Sequence, residues 1–103
     1  MLSPKLMRLG PGRNMLGFWC PACAQLHVIT VRRVEGYQGP VWDWNNNAER
    51  PTFSPSIKHD WGQGKVCHYF VREGRIQYCS DSTHDLAGQT VELPDVPEGW
   101  REL

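Results

Sequence analysis

The chain is short of almost every feature that would name a function outright. None of its 103 residues fall in an apolar run approaching the roughly twenty residues of a membrane span. The opening MLSPKLMRLGPGRNMLGFW is broken by Pro and Gly before it can offer the apolar stretch of a secretory signal. Together these absences predict no membrane contact and a reducing cytoplasm, where paired cysteines bind metals or do redox chemistry more often than they form structural disulfides. No Lys/Arg block is dense enough to argue for nucleic acid on charge alone. There is no repeat, no low-complexity run and no long amphipathic helical pattern. The zinc-deaminase pairing of His-x-Glu with Pro-Cys-x-x-Cys is missing, as are a phosphate-cradling glycine loop and Gly-x-Ser-x-Gly.

Formal net charge is zero, but it is unevenly spread. Residues 1–33 hold Lys5, Arg8, Arg13, Arg32 and Arg33 and no acid, whereas residues 81–103 hold six acids against Arg101. The simplest expectation is that the two ends lie close and neutralise each other. The size suits one compact domain, with an N-terminal arm over 1–14 and a C-terminal tail over 95–103. Small cores often need a staple, and four cysteines make a metal or disulfides available.

What is present is a series of short β-rich runs separated by Gly, Pro and Asn. MLGFW (15–19) leads into CPAC, and LHVITVRRV (26–34) alternates as a strand. VWDW (41–44) is a short strand with both tryptophans on one face. RPTFSPSI (50–57) carries two prolines and reads as an extended edge or loop. VCHYFVR and RIQYCS flank Glu73-Gly74 as a hairpin. That turn pairs 71 with 76, 69 with 78 and 67 with 80, so Cys67, Tyr69, Val71, Ile76, Tyr78 and Ser80 face the core. His68 and Cys79 lie opposite each other on the polar face. STHDLAG (82–88) reads as one helical turn capped by Ser82, and QTVEL (89–93) as a last strand. The expected fold class is mainly β: a small single-domain antiparallel sheet with a zinc knuckle and very little helix.

Cys20 and Cys23 form that knuckle. Two cysteines two residues apart reach one tetrahedral ion, and zinc takes four Cys/His ligands in a structural site. No second Cys-x-x-Cys exists, so the remaining ligands must come from Cys67, His68, Cys79, His84 or His27. Cys67 and His68 are strand neighbours with side chains on opposite faces. The preferred set is therefore Cys20, Cys23, Cys67 and His84, and the alternative is Cys20, Cys23, His68 and Cys79. A thioredoxin-like role for CPAC needs a following helix, and the residues after Cys23 read as a strand.

The other candidates are His68 with Asp81, as a base oriented by a carboxylate, and His27 beside the ion. Thr52 and Ser56 mostly satisfy local backbone groups in this reading, since no base is evident near them. Trp42, Trp44 and Asn45, with Thr52 and Ser56, make a candidate binding cluster if the tryptophans are exposed.

Taken together, CPACxxxH, WDWN, RPTFSPSI, CHYFVREGRIQY and DSTHDLAGQTVELP resemble a family of small uncharacterised phage and prophage proteins often labelled "ammonia monooxygenase". That label does not suit a short chain without membrane spans. The family pattern has a cysteine at the position of Ser82 and an apolar residue at that of Cys79. This departure weighs against Cys79 as a ligand and toward Cys67 and His84. The resemblance implies phage or prophage origin in a bacterial host. The leading functional reading is a zinc-stabilised binding or interaction module with a protein or nucleic-acid partner. The alternative is a small metal-dependent hydrolase using His68, Asp81 and His27 near the ion.

Overall fold

A computed structural model describes residues 1–101. Eight short strands form two antiparallel sheets. The smaller sheet has the order β1-β2-β3, from β1 (Met7–Leu9), β2 (Met15–Cys20) and β3 (Gln25–Thr30). The larger has the order β4-β5-β6-β7-β8, from β4 (Asp43–Trp44), β5 (Phe53–Gly62), β6 (Lys65–Arg72), β7 (Arg75–Tyr78) and β8 (Thr90–Glu92). Among the described residues, helix is confined to two 3₁₀ turns, Pro11–Arg13 and Glu98–Trp100. The mainly β expectation therefore holds. No described helix is long and apolar enough to cross a membrane.

The sheets bury their facing sides against each other. Phe18 of β2 stacks on Phe53 of β5 at 5.5 Å, and Leu16, Ile29, Ile57, Tyr69, Val71, Ile76, Tyr78 and Leu93 complete the core. The β6–β7 hairpin has the expected register, with Tyr69 opposite Tyr78 and Val71 opposite Ile76. Its two turn residues, Glu73 and Gly74, both have positive φ, 49° and 77°, as a type I′ turn requires. Strand alternation then sends Cys67, Tyr69 and Val71 into the core and leaves His68, Phe70 and Arg72 on the open side. Ser80 departs from the expectation: β7 stops at Tyr78, the chain turns through Ser82 N–H to Cys79 O (3.1 Å), and Ser80 is exposed.

Other segments also differ from the sequence reading. Residues 53–62 form a strand inside the sheet, paired with both β4 and β6. Pro51 precedes the strand, and Pro55 is tolerated within it because the register shifts between Phe53 and Ile57. A bulge there leaves unpaired the residue that has no N–H to give. Residues 82–88 form turns instead of a helical one, and Ser82 does not cap. Its hydroxyl accepts from His68 N–H (3.0 Å) and donates to His68 O (2.9 Å). β3 ends at Thr30, since Arg32 and Arg33 turn outward to the carbonyls of Gly12, Tyr37 and Gly39.

The first fourteen residues are built into the fold. Leu6 and Met7 are buried, and β1 pairs with β2. The end of the chain returns to them: Val96, fully buried, donates its N–H to Pro4 O at 2.8 Å. Trp100 lies on Trp19 at 5.4 Å. Residues 102–103, the last of the expected tail, lie outside the described residues. The two ends thus meet, but among the described residues no ion pair joins 1–33 to 81–101.

The β6–β7 turn gives a direct test. A Cβ on Gly74 would stand 3.2 Å from Arg50 Cα at a φ of 77°. Gly74→Ala is expected to cost about 1–2 kcal/mol, and Glu73→Asn to stabilise by up to about 1 kcal/mol. Urea unfolding midpoints measure both.

Candidate functional site

Two clusters of chemically active side chains lie on opposite faces of the larger sheet. The first is buried between the sheets. β2 ends at Cys20, the knuckle turns through Ala24 (φ 51°), and β3 leads away. The β2–β3 register sets His27 opposite Phe18, on the face that also holds Cys20. Cys67 arrives from β6. One ligand atom each from Cys20, Cys23, His27 and Cys67 lie within 4.8 Å of one another, so these four can hold a metal ion.

The electrostatics of the cluster suit that use. The Cys20 sulfur accepts from the Cys67 thiol, the Tyr78 hydroxyl (3.1 Å) and Cys23 N–H (3.4 Å). These bonds outweigh burial and hold its thiol down to about 5. Cys67 is pushed up because its proton is committed to Cys20, and because it is buried. Burial first, then the Cys20 charge, raises Cys23 to about 11. Burial lowers His27 to about 3, aided by His59 and His84, so its imidazole is neutral. His27 Nδ1 meets the Tyr69 hydroxyl at 2.9 Å, and the same hydroxyl meets His59 Nε2 at 3.0 Å. The relay can run in either direction; in the direction that leaves Nε2 unprotonated, His27 Nδ1–H donates to Tyr69, and Tyr69 O–H donates to His59. The lone pair on His27 Nε2, which is buried and has no hydrogen-bond partner, is then free for a metal. Outer partners of this kind normally fix a ligating histidine.

Three residues of the preferred ligand set therefore gather, and the fourth place near them is taken by His27, not His84. His84 packs edge-on against Tyr78 at 4.6 Å. Its Nδ1 accepts the Leu86 N–H at 3.2 Å, which puts the neutral ring's proton on the buried, unpartnered Nε2. The alternative set of Cys20, Cys23, His68 and Cys79 is not assembled, because His68 and Cys79 lie across the sheet. The same separation divides the metal-hydrolase trio: His27 is in the buried cluster, and His68 and Asp81 are in the other.

That second cluster occupies the open face. His68 Nδ1 lies 3.0 and 3.1 Å from the two Asp81 carboxylate oxygens. His68 Nε2 lies 3.1 Å from Ser56 Oγ. Ser56 stands on the β5 bulge, and the Trp42 indole N–H holds its carbonyl at 3.2 Å. Ser82 clamps the His68 backbone from the other side. The expectation that no base approaches Ser56 is thus overturned: three residues distant in sequence converge as serine, histidine and carboxylate. Cys79 stands beside them, its thiol raised first by burial and then by Asp81.

The remaining candidates are engaged in structure. Trp42 and Trp44 are partly buried against the core. The Asn45 amide accepts from Asn47 and Thr52 N–H and donates to Arg50 O. Thr52 Oγ1 accepts the Glu73 N–H at 2.9 Å.

Serine, imidazole and carboxylate in this order form the relay on which serine hydrolases are built. The chain belongs to the BubE family: the family model described as "Bacterial ubiquitination-like system serine protease (BubE)" matches residues 3–79. The match includes Ser56 and His68, and Asp81 lies just beyond it. It refers to a bacterial system and carries no phage connection. No curated protein and no solved structure matches the chain.

Two outcomes are expected of the buried cluster. Native mass spectrometry finds one metal ion per chain, lost in Cys67→Ser and in His27→Ala and retained in His84→Ala. Acid also destabilises the fold. The unfolded chain takes up a proton near the ordinary histidine value of 6.5, whereas folded His27 refuses it until about 3. Its contribution is complete above 6.5 and is lost progressively as pH falls below that value. With the ion removed from both by a chelator, melting temperatures of the parent chain fall between pH 7.5 and 4.5, and fall less in a folded His27→Gln variant.

Proposed function

We propose that this chain is a serine hydrolase, a peptidase of a bacterial ubiquitination-like system, with Ser56 as nucleophile, His68 as general base and Asp81 as its orienting carboxylate. The observation that carries the reading is the continuous Ser56–His68–Asp81 hydrogen-bonded chain, joined by a family description that independently says serine protease.

The chemistry follows from the geometry. Asp81 accepts the Nδ1 proton of His68, which leaves the Nε2 lone pair directed at Ser56. As Ser56 Oγ attacks a substrate carbonyl, Nε2 takes the hydroxyl proton. It then delivers that proton to the departing amine, and an acyl group remains on Ser56. Water, deprotonated by the same imidazole, hydrolyses the acyl-enzyme. Asp81 stabilises the imidazolium that forms at each step.

The metal of the buried cluster is zinc in this reading, since three cysteines and one histidine suit its tetrahedral preference. Four protein donors leave no open position, so the ion acts as a staple of one domain and not as a reactant. In this reading the chain works in a reducing bacterial cytoplasm, where paired cysteines serve metals more often than disulfides, and the partner is a protein substrate.

A fluorophosphonate probe, which reacts with activated serines, tests the reading. The parent chain is labelled, and Ser56→Ala is not. His68→Ala and Asp81→Asn reduce the labelling rate by about 10³-fold or more while keeping the parent's circular dichroism spectrum. Undiminished labelling of Ser56→Ala would refute the assignment.

A further inference from the structure

The Ser56–His68–Asp81 chain leaves one neighbour unexplained. Cys79 offers its sulfur to the same space, and one ligand atom each from His68, Cys79 and Asp81 lie within 4.8 Å of one another. Catalysis by serine needs no thiol there. From these three donors we infer a second metal site on the open face: an exchangeable site for zinc or a similar divalent ion, whose occupancy withdraws His68 from catalysis.

The donor types fit. Thiolate, imidazole and carboxylate together match the borderline-soft character of zinc. The donors are also held in place. Cys79 N–H bonds His68 O at 2.8 Å, and Ser82 N–H bonds Cys79 O at 3.1 Å. The Ser82 hydroxyl fixes His68 through both its N–H and its carbonyl. Residues 79–82 therefore carry Cys79 and Asp81 as one short unit tied to the strand that bears His68.

The site differs in kind from the buried one. It supplies three protein donors and leaves a position for water, and its side chains are partly exposed, with Asp81 at 54%. An ion here exchanges with solvent, whereas the ion of the closed cluster does not. Binding displaces the Cys79 thiol proton to water. It also claims the His68 nitrogen beside Asp81, so the neutral ring must carry its proton on Nε2. That nitrogen then donates to Ser56 Oγ and can no longer accept from it. Metal and serine activation thus compete for one imidazole. The site stands on its own donors; the silencing rests on the proposed role of His68.

The test starts from purified protein that retains its resident ion. Zinc is titrated against a chromophoric chelator, and cobalt is used in parallel to read thiolate coordination from its near-ultraviolet charge-transfer absorbance. Fluorophosphonate labelling is followed across the same zinc range. The parent chain is expected to bind a second ion, to lose labelling as it does so, and to recover on addition of a mild chelator. Cys79→Ala should label normally without zinc and need at least about tenfold more zinc to bind and to be silenced. A parent chain that binds no second ion, or a Cys79→Ala variant that titrates like the parent, overturns the site. Labelling that persists with the second ion bound overturns the silencing. If the parent never labels but binds a second ion through Cys79, the site stands and the hydrolase reading falls.

Discussion

Much of this molecule depends on one property of extended backbone: consecutive side chains point to opposite faces. In β6, Cys67 enters the core and His68 stands on the open side. One strand therefore supplies a donor to the buried cluster and the imidazole of the serine relay. Neighbouring residues repeat the division. Tyr69 and Ile57 face inward, and Ser56 faces outward from the β5 bulge. A sheet one residue thick thus separates a closed, dry site from a solvent-facing one.

The inner face of this small core carries polar groups that would be costly if left unpaired. Tyr69 and Tyr78, opposite each other across the hairpin, each bring a hydroxyl to the cluster. Tyr78 reaches the Cys20 sulfur, and Tyr69 joins His27 to His59. The desolvation that pushes His27 to its neutral form also excludes water from the lone pair on Nε2. An ion there would relieve two problems together, the orphaned nitrogen and the crowding of three sulfurs that share protons. For a chain this short, such a staple would substitute for core area it does not have.

The sequence made the local arrangement legible and the long-range convergence much less so. Glu73-Gly74 between alternating runs was enough to place Cys67 inward and His68 beside Cys79, because a two-residue turn leaves the hairpin one register. CPAC between two strands was likewise readable as a metal knuckle. His27 was harder to place: its inward face depends on the loop pairing Cys20 with Gln25, a register that no residue announces. Ser56 was hardest. Two prolines marked its segment as loop, and only the bulge between Phe53 and Ile57 lets that segment run inside a sheet. Sequence distance from His68 and Asp81 then left no local motif to find, since three strand and turn positions meet only after the sheet has formed.

The bulge also explains why Ser56 sits where it does. A regular strand would hold Ser56 in strict alternation, with its reach set by the pairing between β5 and β6. The shifted register frees that residue from the ladder and turns it toward the histidine, as bulges beside reactive groups commonly do. Trp42 then secures the loosened backbone through its indole N–H, and Ser82 secures β6 at His68. The serine and the imidazole are thus each fixed by a side chain from outside their own strand. Pro55, which argues against a strand in isolation, is in the folded chain consistent with the irregularity that brings Ser56 to His68.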